Sequence, residues 1–329
     1  MDAAAEPEPE PELGHGEHLE LDPDPEPAPL PPELELEPEP EPEPKKPAAA
    51  PYVWDPLAAP GDPPSKACLK RIKGDLKRLY KEPLHGICVT FDQSDITRIH
   101  ALVTGPEGTP YESGLFHFFL RCPPDYPNSP PRMKLLTTGG GRVRFNPNLY
   151  ASGKVCLSIL GTWSGPGWSP AQWVGSVLLS VQTLLGPRPY HNEPGYEKGS
   201  SSLAAKAGPR DAAESYNAFV RHETLRVAVA GVVEAAAKGR GLEAVPGSLS
   251  MPPELCSVAC AAFAPVATHL EDDCLKHADR LDGRELLDPF NPRGTTGMRF
   301  GFAETGKRLK ALRLALALEE VGEEEVDLD

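Results

Sequence analysis

The sequence predicts an α+β domain with a helical extension on its C-terminal side. An amphipathic helical stretch near residue 70 is followed by short runs of β-branched and aromatic residues, joined by turns that contain Gly and Pro. Beyond a long loop, apolar residues recur at helical spacing almost to the end of the chain. Because the connections between the strands are too short for a parallel crossover, we expect an antiparallel sheet.

Composition and charge divide the chain into segments. Residues 1–64 contain 18 acidic and 2 basic residues and consist largely of Pro, Glu and Ala, so they cannot bury enough apolar surface to order themselves. Residues 319–329 contain seven acidic residues and no basic ones. We therefore expect a disordered acidic tail over 1–64, a folded domain over 65–238, a helical extension over 239–318 and an acidic disordered tail over 319–329.

Composition also excludes several classes of protein. No apolar stretch is long enough to span a bilayer and no secretory signal is visible, so we expect no membrane anchor. We expect the protein in the cytoplasm, and the nucleus is also accessible to it. Seven cysteines, an odd number in a long chain, favour free thiols in a reducing compartment. No nucleic-acid motif accompanies the mildly basic body, so we expect protein partners and no nucleic acid.

The first ordered element is predicted to be a helix that Pro83 ends. Basic residues separate its apolar positions, which are Leu69, Ile72, Leu76, Leu79 and Tyr80. Upstream of it, Tyr52-Val53-Trp54 is either a docking segment or an exposed aromatic stretch in a linker.

Strands are predicted next, over Ile99–Val103, Leu115–Arg121 and Met133–Thr137. Each is short and rich in β-branched or aromatic residues, and Gly-Pro and Ser-Gly turns separate them. A loop rich in Gly, Pro and Asn follows from Gly139 to Gly167.

Helices make up the rest of the predicted order. Ser169 as cap, Pro170 at the first helical position and Gln172 three residues after the cap predict a helix start, and Gly186-Pro187 predicts its end. The apolar face of this helix consists of Val174, Val177, Leu178, Val181, Leu184 and Leu185. A further helix is expected from about Ala212 to Lys238, and more helix over 248–318, ending in the amphipathic stretch Lys307–Leu318. The inward residues of the 212–238 helix are expected to be Tyr216, Phe219, Val220 and Val227.

The long loop contains the residues that point to chemistry. Pro147 fixes the backbone direction of the turn Asn146-Pro147-Asn148, and Asn148 carries an amide that can face a reacting group. Cys156 follows eight residues later in a Gly-containing segment that we expect to be exposed. A thiol can form a covalent acyl intermediate and an amide can stabilise the oxyanion, although a lone loop cysteine is more often structural.

The surroundings of Cys156 decide between those interpretations. Several segments occur in order along the body: Cys68–Ile72, Gly105-Pro106, Thr109–Phe116, Pro124–Pro127, Pro130-Pro131, Asn146–Asn148, Cys156 and Trp168–Ala171. At these separations the chain, from residue 65 to about 238, resembles the catalytic domain of ubiquitin-conjugating enzymes. The resemblance implies an N-terminal helix, a four-stranded antiparallel sheet and C-terminal helices.

It also implies an activity. Cys156 would accept ubiquitin or a ubiquitin-like modifier from an activating enzyme as a thioester and pass it to a substrate lysine, usually with a ligase. Asn148 would stabilise the oxyanion or hold the loop, with a pure turn-forming role as the alternative. No bound cofactor or metal is implied, and since no phosphate-cradling Gly-x4-Gly-Lys loop occurs, ATP would be consumed by the separate activating enzyme.

The resemblance assigns docking residues as well. Lys70 and Arg71 would bind the activating enzyme, although a solvated helix face explains them equally well. The ligase-docking end would consist of Pro130, Pro131, Ser169, Pro170 and Ala171. As loop and cap formers these residues need no partner.

The chain departs from the family pattern at four places. Asn146 stands where the family usually has His, so a structural hydrogen bond must be made differently. Asn128 replaces a residue that is often aromatic, and Gly161–Gly167 is four residues longer than usual. Tyr190–Gly195 replaces a more acidic loop that orients the incoming lysine. The candidates for that role here are His191, Asn192 and Glu193.

The sequence offers three other interpretations. Cys256, Cys260, Cys274 and His277 match no compact zinc-binding spacing, so we expect buried thiols there. A cysteine protease would need a His that activates the thiol, and no protease-like motif surrounds Cys156. The alternative within the same fold is a catalytically inactive module that binds modifiers or partners, which a test of thioester loading would distinguish.

Overall fold

The computed structural model describes residues 53–58, 63–197, 212–239 and 250–326, with side chains up to residue 318. The expected tail over 1–64 therefore lies almost entirely outside the described residues. Of that segment, residues 53–58, 63 and 64 are described, and 53–58 pack against the folded domain. The carboxylate of Asp55 accepts from Lys134 Nζ at 2.5 Å, and the Lys134 ammonium lies 5.6 Å from the centre of the Trp54 ring.

The first helix, α1, spans Lys66–Lys81 and is capped by Ser65, whose hydroxyl accepts from the backbone N–H of Cys68 at 3.1 Å. Tyr80, the last of the apolar positions in the helical pattern, is 57% exposed. The last turn of α1 reaches the edge of the sheet, where the Tyr80 hydroxyl donates to the carbonyl of Val89 at 3.2 Å. The residues that α1 buries are Cys68, Ile72, Asp75, Leu76 and Leu79.

Four strands form one antiparallel sheet in the order β1-β2-β3-β4, which confirms the predicted sheet. The strands are β1 Ile87–Asp92, β2 Asp95–Thr104, β3 Leu115–Arg121 and β4 Arg132–Leu135. The sequence patterns located β2, β3 and β4 but not β1. Phe118 pairs with Ala101 on one side and with Leu135 on the other, which fixes the register of the three later strands.

Both faces of the sheet are covered. Ile99, Val103 and Phe118 belong to the buried cluster that also contains the apolar face of α1. The neighbouring side chains point the other way, and Leu102 and Leu115 belong to a second cluster with the C-terminal helices. Alternate side chains of a strand point to opposite faces, so the C-terminal helices form the third layer on the outer side of the sheet.

The second helix, α2, spans Val174–Leu184 and does not begin at Ser169 as predicted. Ser169 and Gln172 do bond to each other, with Ser169 N donating to Gln172 Oε1 at 3.2 Å and Gln172 N donating to the Ser169 carbonyl at 2.8 Å, but these bonds close a turn. Trp173 is extended after it, and the helix starts where Val174 N donates to the buried carboxylate of Asp75 at 3.4 Å. The start of α2 is therefore set by Asp75, which is distant in sequence, and not by the local capping residue Ser169.

The C-terminal helices are α3 Ala212–Glu223, α4 Val232–Ala237, α5 Pro253–Phe263, α6 Ala267–Leu281, α7 Pro292–Thr295 and α8 Phe302–Val326. A π-helical segment, Thr224–Gly231, joins α3 to α4 in place of the uninterrupted α-helix expected over 212–238. The four residues expected to face inward from this stretch are buried. Helix α8 continues past Leu318, where the sequence indicated the end of order.

The cysteines of the extension lie on these helices. Cys256 and Cys274 are buried, as expected, and Cys260 is half-buried. Within the described part of the chain, no helix is both long and apolar enough to cross a lipid bilayer.

Candidate active site

The turn Asn146-Pro147-Asn148 lies at the centre of the site and is buried. Asn146 Nδ2 donates to the Tyr111 hydroxyl at 3.1 Å and to the carbonyl of Leu184 at 2.9 Å. Its Oδ1 accepts from the backbone N–H of Asn148 at 2.9 Å. One carboxamide thus replaces the expected histidine by tying the turn to the end of α2 and to Tyr111.

Asn148 is paired with Cys156 through two hydrogen bonds. The backbone N–H of Cys156 donates to the Asn148 carbonyl at 2.9 Å, and Asn148 Nδ2 donates to the Cys156 carbonyl at 3.0 Å. The turn and the cysteine segment are therefore held in fixed register. The Asn148 amide is directed at the backbone beside the thiol, which is the loop-holding arrangement.

Cys156 is only 2% exposed, so the expectation of an exposed cysteine is wrong. The longer loop after it folds back onto its neighbours. Thr162 Oγ1 accepts from Leu157 N at 3.0 Å and donates to the Val155 carbonyl at 2.7 Å, which closes the chain on both sides of Cys156. Burial raises the pKa of the Cys156 thiol; the charges of Lys154 and Arg144 oppose that rise, and Glu193 adds to it.

Arg144 connects most parts of this site, and the sequence analysis did not single it out. Its Nη2 donates to the Pro147 carbonyl at 2.6 Å and lies 3.4 Å from Glu193 Oε2, while its Nη1 donates to the Phe290 carbonyl at 3.0 Å. The guanidinium also lies 4.2 Å from the centre of the Tyr150 ring. An arginine before the Asn-Pro-Asn turn carries no local signal of this role, because two of its partners, Glu193 and Phe290, lie 49 and 146 residues away in the sequence.

The loop Tyr190–Tyr196 lies beside the turn, with its three candidate residues in different settings. His191 Nδ1 donates to the Tyr196 carbonyl at 2.6 Å, because a carbonyl can only accept, and this bond closes the loop on itself. Asn192 is exposed, and its Nδ2 lies 3.4 Å from Asn146 Oδ1. Glu193 faces Arg144 and is close enough to Cys156 to affect its pKa.

The two residues expected to bind an activating enzyme are placed differently. Lys70 is exposed on α1. Arg71 is half-buried and donates to the carbonyls of Pro170 at 2.9 Å and Gln172 at 2.5 Å, and to Asp75 at 2.8 Å. Its guanidinium therefore braces the turn before α2, whatever else it contacts.

The residues expected at the ligase-docking end lie around two neighbouring loops. Ser169, Pro170 and Ala171 are exposed, Pro130 is half-buried and Pro131 is buried. Trp168 joins the loops, since its Nε1 donates to the Pro127 carbonyl at 2.7 Å. An open cleft lies beside Trp168, and Pro130, Leu160 and Gly161 are among the residues that line it.

Asp75 is a second residue that the sequence analysis missed. Its buried carboxylate accepts from the Tyr126 hydroxyl, from Arg71 and from the first backbone N–H of α2. It sits on the apolar face of α1, where the helical pattern gives no reason to expect a charge. Two of these partners, Tyr126 and Val174, lie 51 and 99 residues away in the sequence, so only the folded chain reveals them.

A helix on an antiparallel sheet, with an Asn turn bonded to a cysteine segment eight residues further on, is the arrangement that the sequence motifs implied. Residues 71–222 match the family described as "Ubiquitin-conjugating enzyme". The chain is 46% identical over 266 residues to ubiquitin-conjugating enzyme E2 Z of Danio rerio, covering 80% of this chain and 74% of that protein. It is 44% identical over 279 residues to ubiquitin-conjugating enzyme E2 Z of Homo sapiens, covering 84% and 72%.

The protein therefore belongs to the ubiquitin-conjugating enzyme family, whose members transfer ubiquitin through a cysteine thioester. Within that family it is similar to the E2 Z enzymes, and an alignment covering 84% of the chain must include part of the sequence beyond Gly239. The comparisons support the enzyme, and nothing in them favours the inactive module. Membership of the family implies interaction with an activating enzyme, ubiquitin and ligases.

Proposed function

We propose that Cys156 is the residue that carries the modifier. Its thiolate attacks the carbonyl carbon of the thioester on the activating enzyme, a new C–S bond forms, and the bond to the activating enzyme's sulfur breaks so that this sulfur leaves as a thiolate. In the second step an amine, such as a substrate lysine, attacks the same carbonyl carbon. The C–N bond forms, Cys156 leaves as the thiol, and the amine nitrogen loses its proton.

The observation that supports this assignment is the pairing of Cys156 with Asn148, whose amide lies 3.0 Å from the Cys156 carbonyl. This bond, with the one from Cys156 N to the Asn148 carbonyl, keeps the Asn148 amide next to the backbone of Cys156. Asn148 keeps the loop in register for the attack. The same amide stabilises the oxyanion if the loop moves when the acyl group binds.

The incoming lysine is oriented by the Tyr190–Tyr196 loop. Of its three candidates, Glu193 is the carboxylate whose charge reaches Cys156, so it suits the role of holding or deprotonating the amine. Asn192 is exposed and can present an amide to the same substrate. His191 shapes the loop through its bond to Tyr196.

Two surfaces serve the protein partners. Lys70 on α1, with Arg71 behind it, faces the activating enzyme, and the loops with Pro130, Pro131 and Ser169–Ala171 face ligases. We propose that the protein binds no cofactor itself and that the activating enzyme consumes the ATP. We place it in the cytoplasm and the nucleus, which microscopy of the tagged protein would check.

The test is thioester loading with ATP, magnesium, ubiquitin and a panel of activating enzymes, read on a non-reducing gel with and without thiol. The parent should give a thiol-sensitive shifted band that Cys156→Ala abolishes. Cys88→Ala is the matched control because Cys88 is exposed and lies on β1, outside the site. A band that persists in Cys156→Ala, or disappears in Cys88→Ala, would overturn the assignment.

A further inference from the structure

The segment Asp288–Asn291 of the C-terminal extension packs against the loop beside Cys156. The Phe290 ring lies 5.5 Å from the ring of Tyr190 and 5.8 Å from that of Tyr196, the two ends of the loop. It also meets Tyr216 of α3 at 5.0 Å and 90°. Aromatic pairs of this kind stabilise a fold beyond the area they bury, so Phe290 fixes both ends of the loop.

Arg144 links the same segment to the Asn-Pro-Asn turn. One side of the guanidinium donates to the Phe290 carbonyl and the other to the Pro147 carbonyl. The side chain is 12% exposed, and its charge also faces Glu193 of the loop. Because a guanidinium is planar and holds its donors in a fixed fork, it sets the distance between these groups.

The segment is itself held in place. Asn291 Nδ2 donates to the Arg142 carbonyl at 3.0 Å, and Asp288 Oδ1 accepts from Phe290 N at 2.9 Å. Gly294 approaches the same carbonyl so closely that a Cβ there would lie 2.9 Å from it. These contacts join the extension to Arg142, in the segment just before the Asn146-Pro147-Asn148 turn. Phe290 therefore has a fixed position.

We propose that Phe290, acting with Arg144, is a positioning residue for transfer from Cys156. The proposal rests on the proposed role of Cys156 as the thioester carrier. The extension then does more than cover the sheet: it sets where the lysine-orienting loop stands relative to the thioester. The catalytic unit therefore includes residues beyond 222, where the match to the family ends.

Loading of Cys156 and discharge to an amine should respond differently when the Phe290 contacts are lost. Loading requires only that the thiol meet the activating enzyme's thioester. Discharge to an amine also requires the loop beside Cys156 to align the attacking nitrogen, and misplacement of a positioning group by about 1 Å costs on the order of 10²-fold. Loss of the Phe290 contacts should therefore slow discharge more than loading.

The experiment uses the full chain, loaded with ubiquitin, quenched with EDTA and chased with free lysine over a range of concentrations. Phe290→Leu removes the aromatic contacts, and Phe290→Tyr keeps them. Phe302→Leu is the matched control, because Phe302 is a buried phenylalanine of the extension that packs in the second cluster against His222 and His277. Arg144→Lys is a second test variant, in case Phe290→Leu fails to show the parent's thermal unfolding transition.

We expect Phe290→Leu to slow discharge by about tenfold while loading changes less, with Phe290→Tyr restoring the rate. Phe302→Leu should discharge like the parent even if it unfolds at a lower temperature. Discharge at the parent's rate in both Phe290→Leu and Arg144→Lys would overturn the inference, as would equal slowing in Phe302→Leu. A parent that never loads would instead overturn the proposed function, and this inference with it.

Discussion

Asn146 and Asn148 have separate tasks in the turn before Cys156. Asn146 faces inward, is 0% exposed and ties the turn to Tyr111 and α2. Asn148 faces the cysteine segment and bonds to the Cys156 carbonyl. The sequence predicted that both were structurally constrained. It did not predict where the Asn146 amide pointed, because the partners of that amide lie 35 and 38 residues away.

Asn148→Ala should lower both stability and discharge. It leaves the carbonyl of Cys156 without its donor, which costs about 1–3 kcal/mol of the free energy of unfolding. If the amide also meets the oxyanion, discharge to lysine should fall by about 10²-fold or more. Urea unfolding and single-turnover discharge measure the two effects.

The control for Asn148 is Asn217→Ala, which also removes a bond from an amide to a backbone carbonyl, that of Pro187 at 3.1 Å. It lies on α3 and, in the part of the chain that is described, bonds to none of the residues of the Asn146–Asn148 turn. Equal discharge rates in the two variants would leave Asn148 with a structural role alone.

Cys156 should ionise at higher pH than a free thiol, since burial raises its pKa and only the thiolate reacts. Arg144→Gln removes a cation that lowers this pKa, so the pH profile of alkylation at Cys156 should move to higher pH. Iodoacetamide labelling, read by mass spectrometry of the Cys156 peptide, measures it. Arg188→Gln, which removes an exposed arginine, is the control, and an unmoved profile in Arg144→Gln would contradict the prediction.

Among the elements, strands β2 and β3 each contribute one histidine to a buried pair that their predicted pattern did not suggest. His100 and His117 face the outer layer and contact each other through Nδ1 and Nε2 at 3.0 Å. Burial lowers the pKa of His100 to about 4, with Arg98 contributing, and that of His117 to about 3, with His100 contributing. Both rings are therefore neutral in the folded protein at neutral pH.

This pair should make the fold less stable as the pH falls. In the unfolded chain each His binds a proton near pH 6.5, whereas in the folded chain binding waits until about pH 4 and 3. Between these values the unfolded state holds more protons, so stability is lost downward from pH 6.5, by up to about 1.4 kcal/mol per pH unit for each His.

His117→Gln should flatten this dependence. The free energy of unfolding in urea, measured at two pH values on either side of 6.5, should differ less in this variant than in the parent. His85→Gln changes an exposed residue and should leave the difference as it is. A variant His117→Gln with the parent's full pH dependence would show that the pair titrates normally.

At the scale of the molecule, the outer face of the sheet depends on helices from the far end of the chain. Leu102 and Leu115 are each 2% exposed and pack in the cluster that contains Leu255, Phe263 and Phe302 of the extension. The extension thus contributes to the core as well as to the loop beside Cys156. A chain ending near the limit of the family match would leave this face uncovered.

A fragment ending at Gly239 should therefore aggregate or lack cooperative unfolding, as size-exclusion chromatography and thermal unfolding would show. In the full chain, Leu115→Ala should cost about 2–5 kcal/mol of unfolding free energy. Leu287→Ala, which alters a leucine that is 55% exposed, should change little. A monomeric fragment with a sharp unfolding transition would show that the outer layer is dispensable.

Local patterns in the sequence determined the class of fold, the helices, three of the four strands and the cysteine loop, because spacing and turn residues act over a few positions. The motif spacing likewise predicted the family. Only the tertiary structure decided the start of α2, the burial of Cys156 and the partners of Asp75, Arg144 and Phe290. These depend on groups brought together from positions up to 146 residues apart, and each such contact is absent until the sheet, the turn and the extension have packed.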